Sequence, residues 1–149
     1  MSAALHLAKP DDLDRLLALV AAFHNEQGLQ TTDEARRAGI APLLDGIPHG
    51  AAYLVGPARS PIGYVIVTFG WSVEFGGMDA FIDEIYVRRA VRGRGIASEV
   101  LMTLPQALAQ GGIKAMHLEV DRDNAVAQRL YARAGFKPRE RYFLMSKYL

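Results

Sequence analysis

The chain has no cysteine among its 149 residues, which removes disulfide frameworks, thiolate metal sites and any cysteine nucleophile. It has almost no charge imbalance: 17 Lys+Arg against 16 Asp+Glu leave a formal net charge of +1. That gives no global attraction to nucleic acid or to an anionic membrane, and neither is expected as a partner. Long apolar runs are missing too. The longest, Leu16 to Phe23, is far short of the ~18 residues that suggest a membrane span. The first residues lack a basic-then-apolar leader pattern, so the expected location is cytoplasmic. Repeats, low-complexity tracts and linkers are absent, and one single domain over residues 1–149 is expected. A chain of this length hides roughly 68–70% of its unfolded surface, enough for a core without metal or disulfide staples. No metal site is expected.

What is present alternates between strand and helix texture. Ala3 to Ala8 reads as a short strand broken by Pro10, with Asp11 as the N-cap of a helix. Leu13, Leu16, Leu17, Val20, Ala21 and His24 then recur at spacings of three and four, one face of a helix ending near Gly28. Acids lead a second helix at Thr32-Asp33-Glu34, which stops before Pro48. Ala52 to Val55 and Ile62 to Phe69 read as two hairpin strands, followed by a looser stretch from Gly70 to Asp79 and a third strand from Ala80 to Val87. Asp83 and Glu84 sit in the middle of that strand, and strict alternation would put them on opposite faces. A helix from Ile96 to about Gln110 carries Pro105, which should kink or shorten it. Ala115 to Val120 is a strand, Asn124 to Ala134 a helix closed by Gly135, and Phe136 to Leu149 a final strand. The order βααβββαβαβ predicts an α/β or α+β sheet with helices on its faces.

Between the third strand and the next helix lies Arg88-Arg89-Ala90-Val91-Arg92-Gly93-Arg94-Gly95-Ile96-Ala97-Ser98. Glycines permit a tight turn and close approach, a helix start offers free N–H groups, and arginines match phosphate oxygens. The segment reads as an anion cradle suited to pyrophosphate, against the plainer alternative of a solvated basic loop. Gly93-Arg94-Gly95-Ile96-Ala97-Ser98 also approaches the dinucleotide fingerprint, with Glu119 as the ribose-binding acid, but Ser98 replaces the third glycine. No Gly-Lys-Ser/Thr occurs, which excludes a Walker P-loop.

Arg92-Gly93-Arg94-Gly95-Ile96-Ala97, following Ile85-Tyr86-Val87, resembles the Q/R-x-x-G-x-G/A signature of the GNAT superfamily of N-acetyltransferases. Leu118-Glu119-Val120, then Asn124, Ala127, Tyr131 and Gly135-Phe136, resembles that family's second landmark. The resemblance covers residues 50 to 149 by motif. It implies a mixed, mostly antiparallel sheet splayed into a V between two parallel strands, with helices on both faces and acetyl-CoA in the cleft. It also implies pyrophosphate on the backbone of Arg92, Gly93, Arg94, Gly95, Ile96, Ala97 and Ser98, pantetheine along Ile85, Tyr86 and Val87, and Asn124 and Ala127 near the coenzyme arm.

Amine attack on a thioester needs a base for the amine's surplus proton and an acid for the departing thiolate. The resemblance implies that Tyr131 is the acid. Glu84 is the first candidate base, Glu119 the second and Asp83 the third, because a mid-strand carboxylate is costly to bury without a partner. Glu74, Phe75, Asp83 and His24 are candidate acceptor contacts, an acidic and aromatic approach that attracts an alkylammonium. The expected reaction is direct acetyl transfer to a primary amine of a small molecule, diamine-like or amino-acid-like. A protein N-terminal or lysine acetyltransferase and a non-catalytic acyl-CoA or nucleotide-binding module remain the alternatives. By the same resemblance a homodimer is expected.

Overall fold

Five runs of alternating side chains pair in chain order into one sheet: β1 (Leu5–Leu7), β2 (Gly50–Val55), β3 (Gly63–Ser72), β4 (Gly77–Val87) and β5 (Ala115–Leu118). The computed structural model describes residues 3–149. β1 to β4 are antiparallel to their neighbours, while β5 lies parallel to β4. That parallel pairing needs a crossover, which the helix α3 (Ile96–Gln110) supplies. The stretch expected to be loose is largely hairpin, since Gly70, Trp71 and Ser72 pair with Asp79, Met78 and Gly77. A four-residue turn therefore suffices between the two strands.

Two further helices, α1 (Leu13–Glu26) and α2 (Asp33–Leu44), cover one face. Leu16, Leu19 and Val20 of α1 and Ile40 and Leu44 of α2 are buried with Ala52, Leu54, Tyr64, Ile66 and Tyr86. The alternate side chains Val55, Val65 and Val67 are buried on the opposite face, as are Ile96, Val100, Leu101 and Leu104 along α3. Each fully buried leucine or valine contributes roughly 1.5–3 kcal/mol. Thr32 caps α2 by accepting from the Ala35 amide at 3.0 Å. Asp11 does not cap α1, because Pro10 opens a three-ten turn that takes in Pro10–Asp12 and moves the helix start onward. Asp12 precedes Leu13 instead, and its carboxylate accepts from the Lys9 amide at 2.9 Å. Nor does Pro105 shorten α3, which runs on to Gln110. One lost backbone bond is outweighed by the buried stripe on either side of it.

The register of β4 carries the main departure from simple alternation. Ile66 stands opposite Glu84 and its neighbour Val67 opposite Ile82, so Asp83 is an extra residue without a partner, a β-bulge. The bulge breaks the period of two, and Asp83 and Glu84 line one pocket rather than opposite faces. β5 stops pairing where the bulge begins: the last register pair is Ile82 with Leu118, and β4 runs on to Val87 with that edge open. The sheet thus splays between its two parallel strands.

The chain divides into two compact units, one ending at Glu119 and the other Val120–Leu149. The second holds α4 (Ala125–Arg133), whose N-cap Asn124 accepts from the Ala127 amide at 3.0 Å. α4 is followed by Gly135 at φ +97°. The expected strand over Phe136 to Leu149 does not form, and Phe143, Leu144, Met145 and Tyr148 are exposed. A strand exists only within a ladder, and no ladder includes these residues. Among the described residues no helix is long and apolar enough to cross a membrane.

Gly63 faces Val87 at the open end of β4, where an added Cβ would lie 2.2 Å from the Tyr86 carbonyl oxygen. Gly63→Ala is expected to cost about 1–3 kcal/mol, read as a lower urea midpoint at unchanged m-value.

Candidate active site

The open edge of β4 runs directly into the arginine and glycine loop. After a three-ten turn at Arg89–Val91, Gly93 (φ +80°) and Gly95 (φ +75°) take the left-handed conformation that side chains disfavour. Open space surrounds both: an added Cβ at either would meet nothing within 4 Å. Gly95 is the N-cap of α3 and offers no side chain to the first turn, whose N–H groups receive no side-chain cap. The segment Arg92 to Ser98 thus joins a left-handed glycine turn to a helix start without a side-chain cap.

The Arg92 side chain is engaged elsewhere. Its Nε donates to the Val87 carbonyl at 2.8 Å, and one terminal nitrogen donates to both Glu26 oxygens at 2.8 and 2.9 Å. The guanidinium also lies 5.4 Å over the Tyr86 ring. Arg92 thus braces the loop against the end of α1. Burial pushes the Glu26 carboxyl up, but Arg92, Tyr86 and Arg89 more than offset this and hold it below its ordinary value. Burial and the neighbouring Glu26 raise the Tyr86 phenol. Among the described residues Arg94 makes no ion pair.

Beside the bulge, α1, α2, β3 and β4 enclose a pocket of about 180 Å³. Val20, Ile40, Leu43 and Ile66 form its apolar wall, and His24, Thr31, Arg36, Asp83 and Glu84 its polar one. Glu84 is held from two sides: the Tyr64 hydroxyl donates to Oε1 at 2.7 Å, and His24 Nε2 lies 2.6 Å from Oε2. The other ring nitrogen of His24 meets the Thr31 hydroxyl at 2.9 Å, which Arg36 approaches at 2.8 Å. Burial, then the charge of Glu84 and the hydrogen bond to it, raise the Tyr64 phenol far above its usual range. Burial also raises the Asp83 carboxyl, repulsion from Glu84 and Glu119 adds to this, and His24 opposes it.

The expected acceptor residues separate into two groups. His24, Asp83 and Glu84 share the pocket. Farther along β4, Asp79 pairs with His117 of β5 at 3.1 Å, and Phe75 lies 5.6 Å from the His117 ring. Glu74 stands in the exposed turn next to Phe75. In the second unit Asn124 spends its side-chain oxygen on the Ala127 amide. Tyr131 packs edge-on against Phe136 at 6.2 Å, with its phenol raised by burial. Sequence reasoning missed Tyr64, Thr31, Arg36, Glu26 and His117. A tyrosine in an apolar central strand was the available signal, since its hydroxyl needs a partner when buried. Among the described residues no three His, Asp or Glu side chains converge as metal ligands.

Because folding raises the Asp83 carboxyl, its charged form opposes the fold; the stability present below the ordinary carboxylate range is lost as pH rises through the folded value. Asp83→Asn is expected to melt above the wild type at pH 8, with the two curves meeting near pH 3, in thermal scans across that range. Asp83 is exposed, so the gain is small.

The acetyltransferase (GNAT) family model matches residues 13–136. Among solved structures, an integron cassette protein from the mobile metagenome of Cole Harbour Salt Marsh is 28% identical, with TM-score 0.84 over 96% of this chain and 89% of that one. The aminoglycoside acetyltransferase AAC(6')-Iy, solved with a CoA-containing bisubstrate analogue, is 17% identical, with TM-score 0.80 over the whole of both chains. A third, aminoglycoside acetyltransferase meta-AAC0020 from an uncultured soil metagenomic sample, was solved with sisomicin; it is 13% identical with TM-score 0.79, over 98% and 95% of the two chains. The two aminoglycoside enzymes show a shared fold. No curated protein sequence matches the chain. The family match takes in the splayed strands, the glycine loop and the acidic bulge, and the chain belongs to the GNAT family of acetyltransferases.

Proposed function

We propose that the chain transfers an acetyl group from acetyl-CoA to a primary amine of a small molecule, by direct attack in a ternary complex. The observation that carries this reading is the unpaired edge of β4, which runs without interruption into the left-handed glycines at the start of α3. An amide-bearing pantetheine extends such an edge as an added strand, and a pyrophosphate is received by the helix N-terminus. The main chain of Ile85, Tyr86 and Val87 serves the first, and that of Arg92, Gly93, Arg94, Gly95, Ile96, Ala97 and Ser98 the second. With no cysteine, no thiol acyl-enzyme forms.

The pocket beside the bulge receives the acceptor. Asp83 and Glu84 attract its ammonium, and the apolar wall of Val20, Ile40 and Ile66 takes an alkyl arm. At about 180 Å³ the pocket is smaller than the ~300–1,000 Å³ that encloses a drug-sized ligand, which favours a single amine-bearing arm over a multi-ring body. The base comes from the acidic and histidine cluster of this pocket. Tyr131 is assigned, from its place in the family's second landmark, the proton given to the departing thiolate. The residues up to Glu119 and those of the second unit act as one catalytic domain, a reading supported by a family match that runs from residue 13 into the second unit as far as residue 136.

Acetyl-CoA and CoA at a hundredfold excess over Kd are expected to add about 2.7 kcal/mol of stability, a melting shift of roughly 5–10 °C, where NAD and ATP add none. The reverse pattern in the same thermal-shift series would mean the glycine loop is a nucleotide cradle. Tyr131→Phe is expected to lower turnover on the order of 10²-fold with acetyl-CoA stabilisation intact, measured by thiol release. Unchanged turnover in that variant removes Tyr131 from its role.

A further inference from the structure

Resting on the acetyl-transfer reading, we propose that the acceptor's surplus proton leaves through the Thr31 hydroxyl to Nδ1 of His24, with Glu84 as the positioning residue behind the histidine rather than the proton acceptor. Both Glu84 oxygens are already engaged, by Tyr64 at 2.7 Å and by His24 Nε2 at 2.6 Å. A carboxylate only accepts, so Nε2 carries the ring hydrogen and Nδ1 is the bare nitrogen. Nδ1 faces Thr31 Oγ1 at 2.9 Å.

The bonding of Thr31 then follows by elimination. A hydroxyl has one hydrogen and two lone pairs, and a guanidinium only donates. Arg36 fills one lone pair at 2.8 Å, the hydrogen points to Nδ1, and one lone pair is left for a donor from the pocket that Thr31 lines. Hydroxyl, imidazole and carboxylate thus stand in line, the arrangement by which a histidine oriented by a carboxylate draws a proton from an oxygen. Here the oxygen is a shuttle. An ammonium in the pocket gives a proton to Thr31 Oγ1 while Thr31 passes its own hydrogen to Nδ1, and the amine nitrogen keeps the electron pair. His24 becomes an imidazolium against the Glu84 carboxylate. The free amine attacks the acetyl carbonyl, the C–N bond forms, the C–S bond breaks, and the thiolate takes the proton assigned to Tyr131; the second nitrogen proton passes to water, from which the phenolate recovers its own. His24 then returns its proton to water.

Two measurements test this on the whole chain. Nitrogen-15 NMR of labelled histidine is expected to show neutral His24 protonated at Nε2 and bare at Nδ1, with that preference lost in Glu84→Gln; a hydrogen on Nδ1 of the neutral ring overturns the relay, with or without turnover. Thiol release with acetyl-CoA and 1,4-diaminobutane gives the second. Thr31→Val and His24→Gln are expected to lose on the order of 10²-fold in kcat with little change in KM for the diamine. Thr31→Ser recovers most of the first loss and free imidazole part of the second, and acetyl-CoA still stabilises all three variants. Wild-type kcat in Thr31→Val or His24→Gln overturns the relay and leaves acetyl transfer standing. A wild-type chain that binds acetyl-CoA yet acetylates no amine overturns the proposed function together with the relay.

Discussion

β4 holds one residue more than β3 can match, and the candidate site is organised around that surplus. A sheet with Asp83 in register would have divided the two acids between its faces, one towards α1 and α2, the other towards α3. The unpaired residue instead resets the alternation, so that Glu84 stands opposite Ile66 and looks into the same pocket as Asp83. The bulge also comes where β5 leaves β4, as expected for an irregularity that increases local twist. One insertion of a single residue thereby brings two carboxylates together and opens the strand edge beside them.

Two carboxylates side by side repel each other, and the surroundings of each deal with this differently. Glu84 is compensated by hydrogen bonds from Tyr64 and His24. Asp83 has no such donor among the described residues, and burial first, then the repulsion, raises its carboxyl. The contrast gives the pocket one carboxylate held by two donors and one with a raised carboxyl, from residues adjacent in sequence. No buried side-chain polar atom among the described residues lacks a partner.

Much of this was legible in the residues. Apolar spacing located α1, acids and a threonine marked the start of α2, and glycines at 93 and 95 announced the loop whose φ values they now show. The motif around Arg92 and that around Asn124 and Tyr131 pointed to the family. The rest depended on distance in space. Nothing local distinguishes a regular strand from one in which Asp83 is supernumerary, because register is set by the partner strand. The engagement of Arg92 with Glu26, 66 residues apart, and of His24 with Glu84, 60 apart, were likewise invisible. The final strand was misread because strand-like residues from Phe136 to Leu149 indicate propensity, which tertiary context overrides.

Glu26 and His24 both belong to the last turn of α1. Through Glu26 that turn holds the glycine loop by way of Arg92, and through His24 it holds Glu84 at the bulge. The loop and the pocket therefore share one mechanical anchor. Substitutions in the loop and in the pocket are not energetically independent, and a double-mutant cycle across them closes with a residual coupling that neither surface would produce alone. Evolution of a new lining for this pocket accordingly proceeds under a constraint set by the glycine loop that the same helix end holds.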